Sequence, residues 1–526
     1  MELSFDVLIQ GGTVIDGTGA PRTKAEVGIN GNRVTAIGEL PSGDAATVID
    51  ASGRVVAPGF IDVHNHMDGW LLKQSHVPSK TLQGFTTEVI GLDGISYAPV
   101  NAQTAKEWIF YLKALDGLQL SDYEGWESLG EFMQCLEGRN VQNAATHVPY
   151  ANVRSLACGF GRGSVDDYQM RQIKDAVRQG MEQGAVGLST GLDYIVQCFA
   201  DTDELVEVCK VVAEFGGLYA THMRYKSGTM TALKEAVEIG RRSGVKVHIS
   251  HFKGADAAAV DEILEYIDGV ARHEVDFSFD AYPYQPGSTM LTYLVPYDTW
   301  ADGPLAAGAK LLDPVIASQF RAGLKLHRMP VDRIHIAWVA GKENAIHQGK
   351  LLSEYIEQTG LDDAEALTNL LLEERMAVLL VFLEGDDRLV HPFLKHDLYM
   401  MGTDGIYQPD GPIHPRQYGS AGRLLGPYVR DEKMFSLEQA VYKLSGNAAT
   451  RFGLTDRGVL KENAVADVVV FDPDTITDRA TMTEPHQHCV GMETVIVGGT
   501  VIVQDSTPVD TLTTPYPGRA IRAKMQ

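Results

Sequence analysis

Val55-Val56-Ala57-Pro58-Gly59-Phe60-Ile61-Asp62-Val63-His64-Asn65-His66-Met67-Asp68 decides how the rest of the chain is read. An apolar run of strand type ends in His64 and His66. Alternate residues of a strand point to one side, so both imidazoles can face a common point just where the strand runs out. That is the geometry of a catalytic metal site. The spacing alone also occurs on exposed strand edges, so three later segments of the chain have to support it. Tyr219-Ala220-Thr221-His222 and Val247-His248-Ile249-Ser250-His251 each end a short apolar run in histidine, and Met400-Met401-Gly402-Thr403-Asp404 ends one in a carboxylate. His248 and His251 lie an odd number of residues apart and face opposite sides of a strand. His251, at the strand end, is the expected ligand, and His248, within it, a buried and hydrogen-bonded residue. Asp404 read alone is a turn or helix-cap residue. Placed after three histidine-bearing strand ends, it reads as a metal ligand and general base.

Around these sites, short apolar runs alternate with helical patterns: Thr86 to Ile90, Ala144 to Val148, Ala185 to Leu188, Gly217 to Thr221, Val245 to Ser250, Asp276 to Asp280 and Leu398 to Thr403. Segments between them, such as 203–215 and 230–243, carry apolar faces of helical period. Repeated strand-helix units predict an α/β fold, a TIM-like (β/α)8 barrel, and the polar residues at the strand ends favour it over an open sheet because barrels keep their active sites there. Both ends of the chain differ from this middle. Asp6 to Asp16, Glu26 to Val34, Ala466 to Asp472 and Val495 to Val503 are β-rich runs with Gly/Asn turns, and hairpins of that size bury too little apolar surface separately. One small β-sandwich built from both termini is expected. The resulting division is 1–57 and 446–526 for the sandwich and 58–445 for the barrel, with an insertion at about 285–350 over the barrel mouth that reads as a lid or a surface subdomain.

Composition narrows the partners. A chain of 526 residues exceeds one ordinary core. The formal net charge of −24 opposes nucleic acid and anionic membrane surfaces, while a few basic groups inside a pocket still suffice for an anionic substrate. The longest apolar run, Ala377 to Leu383, is too short to span a bilayer and reads as core. The opening Met1 to Asp6 lacks a secretory pattern, and the five cysteines form no CxxC pair, which fits a reducing cytoplasm. The oligomeric state stays open. His486-Gln487-His488 repeats the motif spacing after Pro485 in a polar stretch and is not expected to bind metal. His76, His273, His327, His335, His347, His391 and His396 read as surface or packing residues, and His147 as ambiguous.

With these residues in view, the chain resembles the amidohydrolase superfamily and, within it, the N-acyl-D-amino-acid deacylases (D-aminoacylases). The resemblance runs over nearly the whole length, through Gly59-Phe60-Ile61-Asp62-Val63-His64-Asn65-His66, Gly187-Leu188-Ser189-Thr190-Gly191-Leu192, Ala200-Asp201-Thr202-Asp203-Glu204-Leu205, Asp280-Ala281-Tyr282-Pro283-Tyr284 and His414-Pro415-Arg416. It implies a zinc-dependent hydrolase, with one or two ions, that cleaves the linear amide of N-acyl-D-amino acids. One departure stands out. Where family members have Gly-Asn-Cys-Gly after the second strand, this chain has Gly91-Leu92-Asp93-Gly94. A carboxylate also binds and bridges zinc, though as a harder ligand. The resemblance then implies His222, His251 and Asp93 around a tighter ion, and His64, His66 and Asp404 around a weaker one, with Asp404 moving the proton. Lys253, two residues past His251, is expected to grip the substrate carboxylate together with Arg416 and Tyr284, which match family positions, and Ser288 to add a hydrogen bond. Handedness is implied by the resemblance alone. Two alternatives remain: an amidohydrolase for a cyclic amide, lactone or unusual amide, and a non-catalytic scaffold of the same fold.

Overall fold

The computed structural model describes residues 4–40, 45–326, 330–383 and 385–523. His327 lies outside them. At the centre is a closed parallel sheet of eight strands: β1 (Phe60–Asp62, extended by Asn65–His66), β2 (Phe85–Ile90), β3 (Asn143–Thr146, continued by Val148–Pro149), β4 (Gly187–Gly191), β5 (Leu218–His222), β6 (Lys246–Ile249), β7 (Phe277–Ala281) and β8 (Tyr399–Met401, extended by Gly405–Ile406). Each pairs in parallel with the next, and the ring closes where Gly405 and Ile406 pair with Asn65 and His66. Closure is reinforced by the His64 carbonyl, which accepts from the Asp404 amide at 2.7 Å. The first and last strands thus bring His64, His66 and Asp404 together by main-chain geometry alone.

The helices of the barrel follow from local sequence. Thr202–Glu214 buries Leu205, Val208, Cys209 and Val212, the one-face spacing of a helix lying on a sheet. Asp166, Asp201 and Asp256 each accept backbone N–H bonds at the start of the helix that follows, a cap worth about 1 kcal/mol apiece. Beneath the rim, the fully buried Lys80 ammonium meets Asp62, Glu88 (3.3 Å) and the Thr403 hydroxyl (3.1 Å). Asp62 in turn accepts from the Thr403 amide at 2.8 Å and hydroxyl at 2.6 Å. This network pins the turn carrying Asp404 to the strand carrying His64.

The sandwich is built from both termini, as expected. Phe5–Gln10, Glu26–Asn30, Arg33–Gly38 and Ala45–Asp50 form one sheet. The other joins Thr13–Val14, Thr23–Lys24 and Val55–Pro58 to Val468–Phe471, Met492–Val497, Thr500–Gln504 and Thr507–Pro508. Val7, Ile9, Val27, Ile29, Val56, Val468, Val470 and Ile496 share the core between them. Val55–Pro58 runs straight into β1, so one extended stretch belongs to both layers.

The excursion between β7 and β8 is longer than the sequence suggested. Ser288–Met290, Val378–Phe382 and Ile334–Val339 form an antiparallel sheet apart from the barrel, so the insertion does not end at about 350 but continues to Phe382. Helices Leu352–Thr359 and Asp363–Glu373 have the amphipathic pattern of barrel helices, which hides the true boundary. Ala377 to Leu383, read as core, holds its central strand. Among the described residues no helix is long and apolar enough to cross a membrane.

Candidate active site

Four histidines and two aspartates converge at the C-terminal ends of the strands. Each is placed by a strand end or by the turn that follows. His64 and His66 come from β1, Asp93 from the turn after β2, His222 from the end of β5, His251 from just beyond β6, and Asp404 from the turn within β8. Asp93, His251 and Asp404 adopt positive φ (53°, 37° and 49°), a backbone cost that non-glycine residues carry mainly at functional sites. Asp93 lies at the centre. Its oxygens are 3.5 Å from His64 Nε2, 3.7 Å from His66 Nε2, 3.6 Å from His251 Nε2 and 4.0 Å from His222 Nδ1. Asp404 Oδ1 is 3.3 Å from His66 Nε2 and 3.8 Å from His64 Nε2.

This donor set fits a divalent cation. His64, Asp93 and His251 offer ligand atoms within 4.8 Å of one another, as do His64, His66 and Asp404. Both ring nitrogens of His64 and Asp93 Oδ1 are buried without a hydrogen-bond partner, an arrangement that is costly unless something charged sits among them. The grouping differs from the expected division. His64 belongs to both triads, and His222 to neither: its Nδ1 is 3.0 Å from His251 Nε2 and its Nε2 3.4 Å from Asp193. Asp93 and His64 join the two halves into one cluster.

Electrostatics follow from this crowding. Burial opposes protonation of His64, but Asp280 and Asp93 outweigh it and raise the imidazole to about 9. A divalent cation supplies the same positive charge and takes that proton's place. Burial pushes the Asp404 carboxyl up, yet Arg416 and His66 overrule it and hold it well below the usual range. Arg416 is itself fully buried, with Nη1 2.8 Å from Asp404 Oδ2 and 2.6 Å from the Tyr282 hydroxyl.

A cavity of about 350 Å³ opens over the cluster, lined by His66, Asp93, His222, His251 and Asp404 together with Lys253, Tyr282, Ser288 and aromatic side chains. Lys253 donates to the Gln285 and Pro286 carbonyls at 2.7 and 2.9 Å, and burial with Arg416 nearby pulls its pKa well down. Ser288 faces the cavity but its hydroxyl donates to the Leu380 carbonyl at 2.7 Å. Tyr284 is a correction. Its hydroxyl points to Asp478 at 3.4 Å, its ring packs on Arg423, and it does not line the cavity. Pro283 turns the chain between the two tyrosines, and Tyr282 takes the inward place.

Sequence reasoning missed the carboxylates behind the ligands. Asp280 accepts from His248 Nε2 at 2.9 Å and from the His251 amide at 2.8 Å, and lies 3.6 Å from His64 Nδ1. Asp193 backs His222, and Asp116 lies 3.7 Å from His66 Nδ1. Such partners orient the imidazoles of metal sites. The alternation of β7, which turns Asp280 inward alongside Ser278, was the available signal. His248 is buried and hydrogen-bonded as expected, while His147 packs against Phe452 and does not line the cavity. His486 spends its nitrogens on the Tyr418 hydroxyl (2.9 Å) and the Gly411 carbonyl (2.7 Å).

Against known proteins, residues 47–286 and 356–503 match the model of the amidohydrolase family. The chain belongs to that family. The stretch between the two matched segments falls inside the excursion that separates β7 from β8. A D-aminoacylase of Alcaligenes xylosoxydans xylosoxydans is 34% identical over 506 residues, covering 95% of both chains. An N-acyl-D-glutamate deacylase of the same organism is 33% identical, covering 99% of this chain and 97% of that one. Among solved structures, the N-acyl-D-glutamate deacylase of Bordetella bronchiseptica, complexed with zinc and a phosphonate mimic of the tetrahedral intermediate, superposes with a TM-score of 0.83 at 32% identity, over 99% of this chain and all of that one. Within the family the chain therefore stands in the D-aminoacylase branch.

Proposed function

We propose that this amidohydrolase cleaves N-acyl-D-amino acids to a carboxylate and a free D-amino acid, using one or two zinc ions held by His64, His66, Asp93, His222, His251 and Asp404. The observation that carries this reading is the convergence of partnerless imidazole and carboxylate atoms beneath a cavity that also holds a half-buried lysine. Zinc bound there supplies a Lewis acid that brings the pKa of water to about 7 and polarises the scissile carbonyl. Asp404, ionised throughout the neutral range, accepts the proton of the attacking water on Oδ1, while Oδ2 stays tied to Arg416. A carboxyl group of such low pKa then readily gives that proton to the departing amine. Lys253, beside Tyr282, anchors the α-carboxylate, and Arg416 fixes both Asp404 and the Tyr282 hydroxyl. Asp93 stands where branch members carry cysteine and bridges the two halves of the cluster. A cytoplasmic location is part of the proposal, supported by five cysteines that all stand free. The test is a panel of N-acetyl-D- and N-acetyl-L-amino acids assayed with and without chelator. Chelator-sensitive release of D-amino acids is expected, and activity confined to L-enantiomers would defeat the reading.

A further inference from the structure

His222 presents its two ring nitrogens to different surroundings. Nδ1 faces the cluster, 3.0 Å from His251 Nε2 and 4.0 Å from an Asp93 oxygen, while Nε2 faces Asp193 Oδ2 at 3.4 Å. An imidazole whose Nε2–H is held by a carboxylate keeps its lone pair on Nδ1, the nitrogen directed at the ion. The position of Asp193 Oδ2 therefore decides how well His222 coordinates. Asp193 lies two residues past β4, and its side chain is fully enclosed.

That oxygen is shared with the excursion. The Tyr293 hydroxyl donates to the same Oδ2 at 3.0 Å, and the Tyr297 hydroxyl donates to the Asp193 carbonyl at 3.0 Å. Lys226, in the turn after β5, fastens both sides. Its amide donates to the Asp193 carboxylate at 3.2 and 3.3 Å. Its ammonium donates to the Tyr293 carbonyl at 2.9 Å and lies over the Tyr293 and Tyr297 rings, 4.0 and 4.7 Å from their centroids. A carboxylate held by one main-chain amide remains free to swing about its side-chain bonds. A second donor from a distant part of the chain fixes Oδ2 in front of His222.

We propose that Tyr293 is a positioning residue for the metal centre: a residue of the excursion, outside the ligand set, that holds Asp193 Oδ2 against His222 and so raises the affinity for zinc, with Lys226 keeping it in place. The inference rests on the reading of His222 as a zinc ligand. Zinc affinity of the full chain is measured by titration against a competing chelator. Substrate is left out, because Tyr293 also lines the cavity and its contacts there must play no part. Tyr293→Phe removes only the hydroxyl and leaves the ring beside Tyr194, with centroids 5.6 Å apart, and under Lys226. Zinc should bind about three- to tenfold more weakly, a fraction of the roughly 10- to 100-fold cost expected of Asp193→Ala, in which the outer partner itself is gone. In the double variant the losses should not add, since with Asp193 removed the tyrosine hydroxyl has nothing to act through. Circular dichroism checks each fold, and Asp193→Asn serves in the cycle if the alanine variant does not fold. Wild-type zinc affinity in Tyr293→Phe would overturn the inference, and so would an undiminished tyrosine effect once Asp193 is replaced. His222→Asn probes the premise: unchanged affinity there would remove His222 from the ligand set and this inference with it, whereas the deacylase reading is judged separately by the enantiomer panel.

Discussion

His64-Asn65-His66 and His486-Gln487-His488 are the same motif in two settings. The first pair ends a barrel strand, is buried, and faces Asp93 and Asp404 with both His64 nitrogens partnerless. The second is exposed beside Tyr418, with its hydrogen bonds satisfied by a phenol and a carbonyl and with His488 stacked on the same ring. Spacing alone therefore carries no chemistry. What makes a site is convergence from several strands, with carboxylates in reach and polar atoms left unsatisfied.

The severest trial of that contrast is Asp404→Asn. Turnover should fall roughly 10²- to 10⁴-fold with the circular dichroism spectrum unchanged, the range of a lost general base. Wild-type rates would remove Asp404 from the chemistry. Next, His64→Asn should weaken zinc binding by at least about 100-fold, more than the loss of an outer partner costs, because both triads share this residue. Titration against a competing chelator reads this directly, and undiminished affinity would place the ion elsewhere. A smaller effect, about 10- to 100-fold on zinc affinity or rate, is expected from Asp280→Asn, which loosens His248 and the loop of His251 without removing a ligand.

Acidity offers a graded test. The His64 imidazole is raised to about 9, so it is protonated at neutral pH and must release that proton to coordinate. Zinc affinity should therefore rise with pH up to about 9 and weaken as pH falls, by up to about tenfold per unit for each proton displaced. A flat profile from about pH 6 to 9 would contradict the charge state drawn here. Smallest of all, replacing His486 and His488 by alanine should leave zinc content and turnover unchanged, with stability altered by no more than about 1 kcal/mol for two surface-lying residues. Lost metal in that variant would erase the distinction between the two motifs.

The barrel and the sandwich were readable because their signals are local: short apolar runs, faces of helical period, Gly/Asn turns, and polar residues stationed where runs stop. The same rule brought out His64, His66, His222, His251 and Asp404. Asp93 was legible only through the resemblance, since a lone aspartate between glycines looks like a turn. Asp193, Asp280 and Asp116 were hidden because their role depends on which imidazole packs in front of them, a fact of tertiary structure. Tyr282 and Tyr284 show the limit of alternation. The strand ends at Ala281, Pro283 redirects the chain, and the two rings part company. The far end of the excursion was missed because its helices imitate those of the barrel.

Val55–Pro58 pairs on one side with Thr13–Val14 and on the other with Val468–Phe471, more than four hundred residues later. During synthesis, some four hundred further residues must follow before the second of these neighbours exists. The segment leading into the first catalytic strand waits half-paired until then, so its maturation is paced by the arrival of a strand distant in sequence.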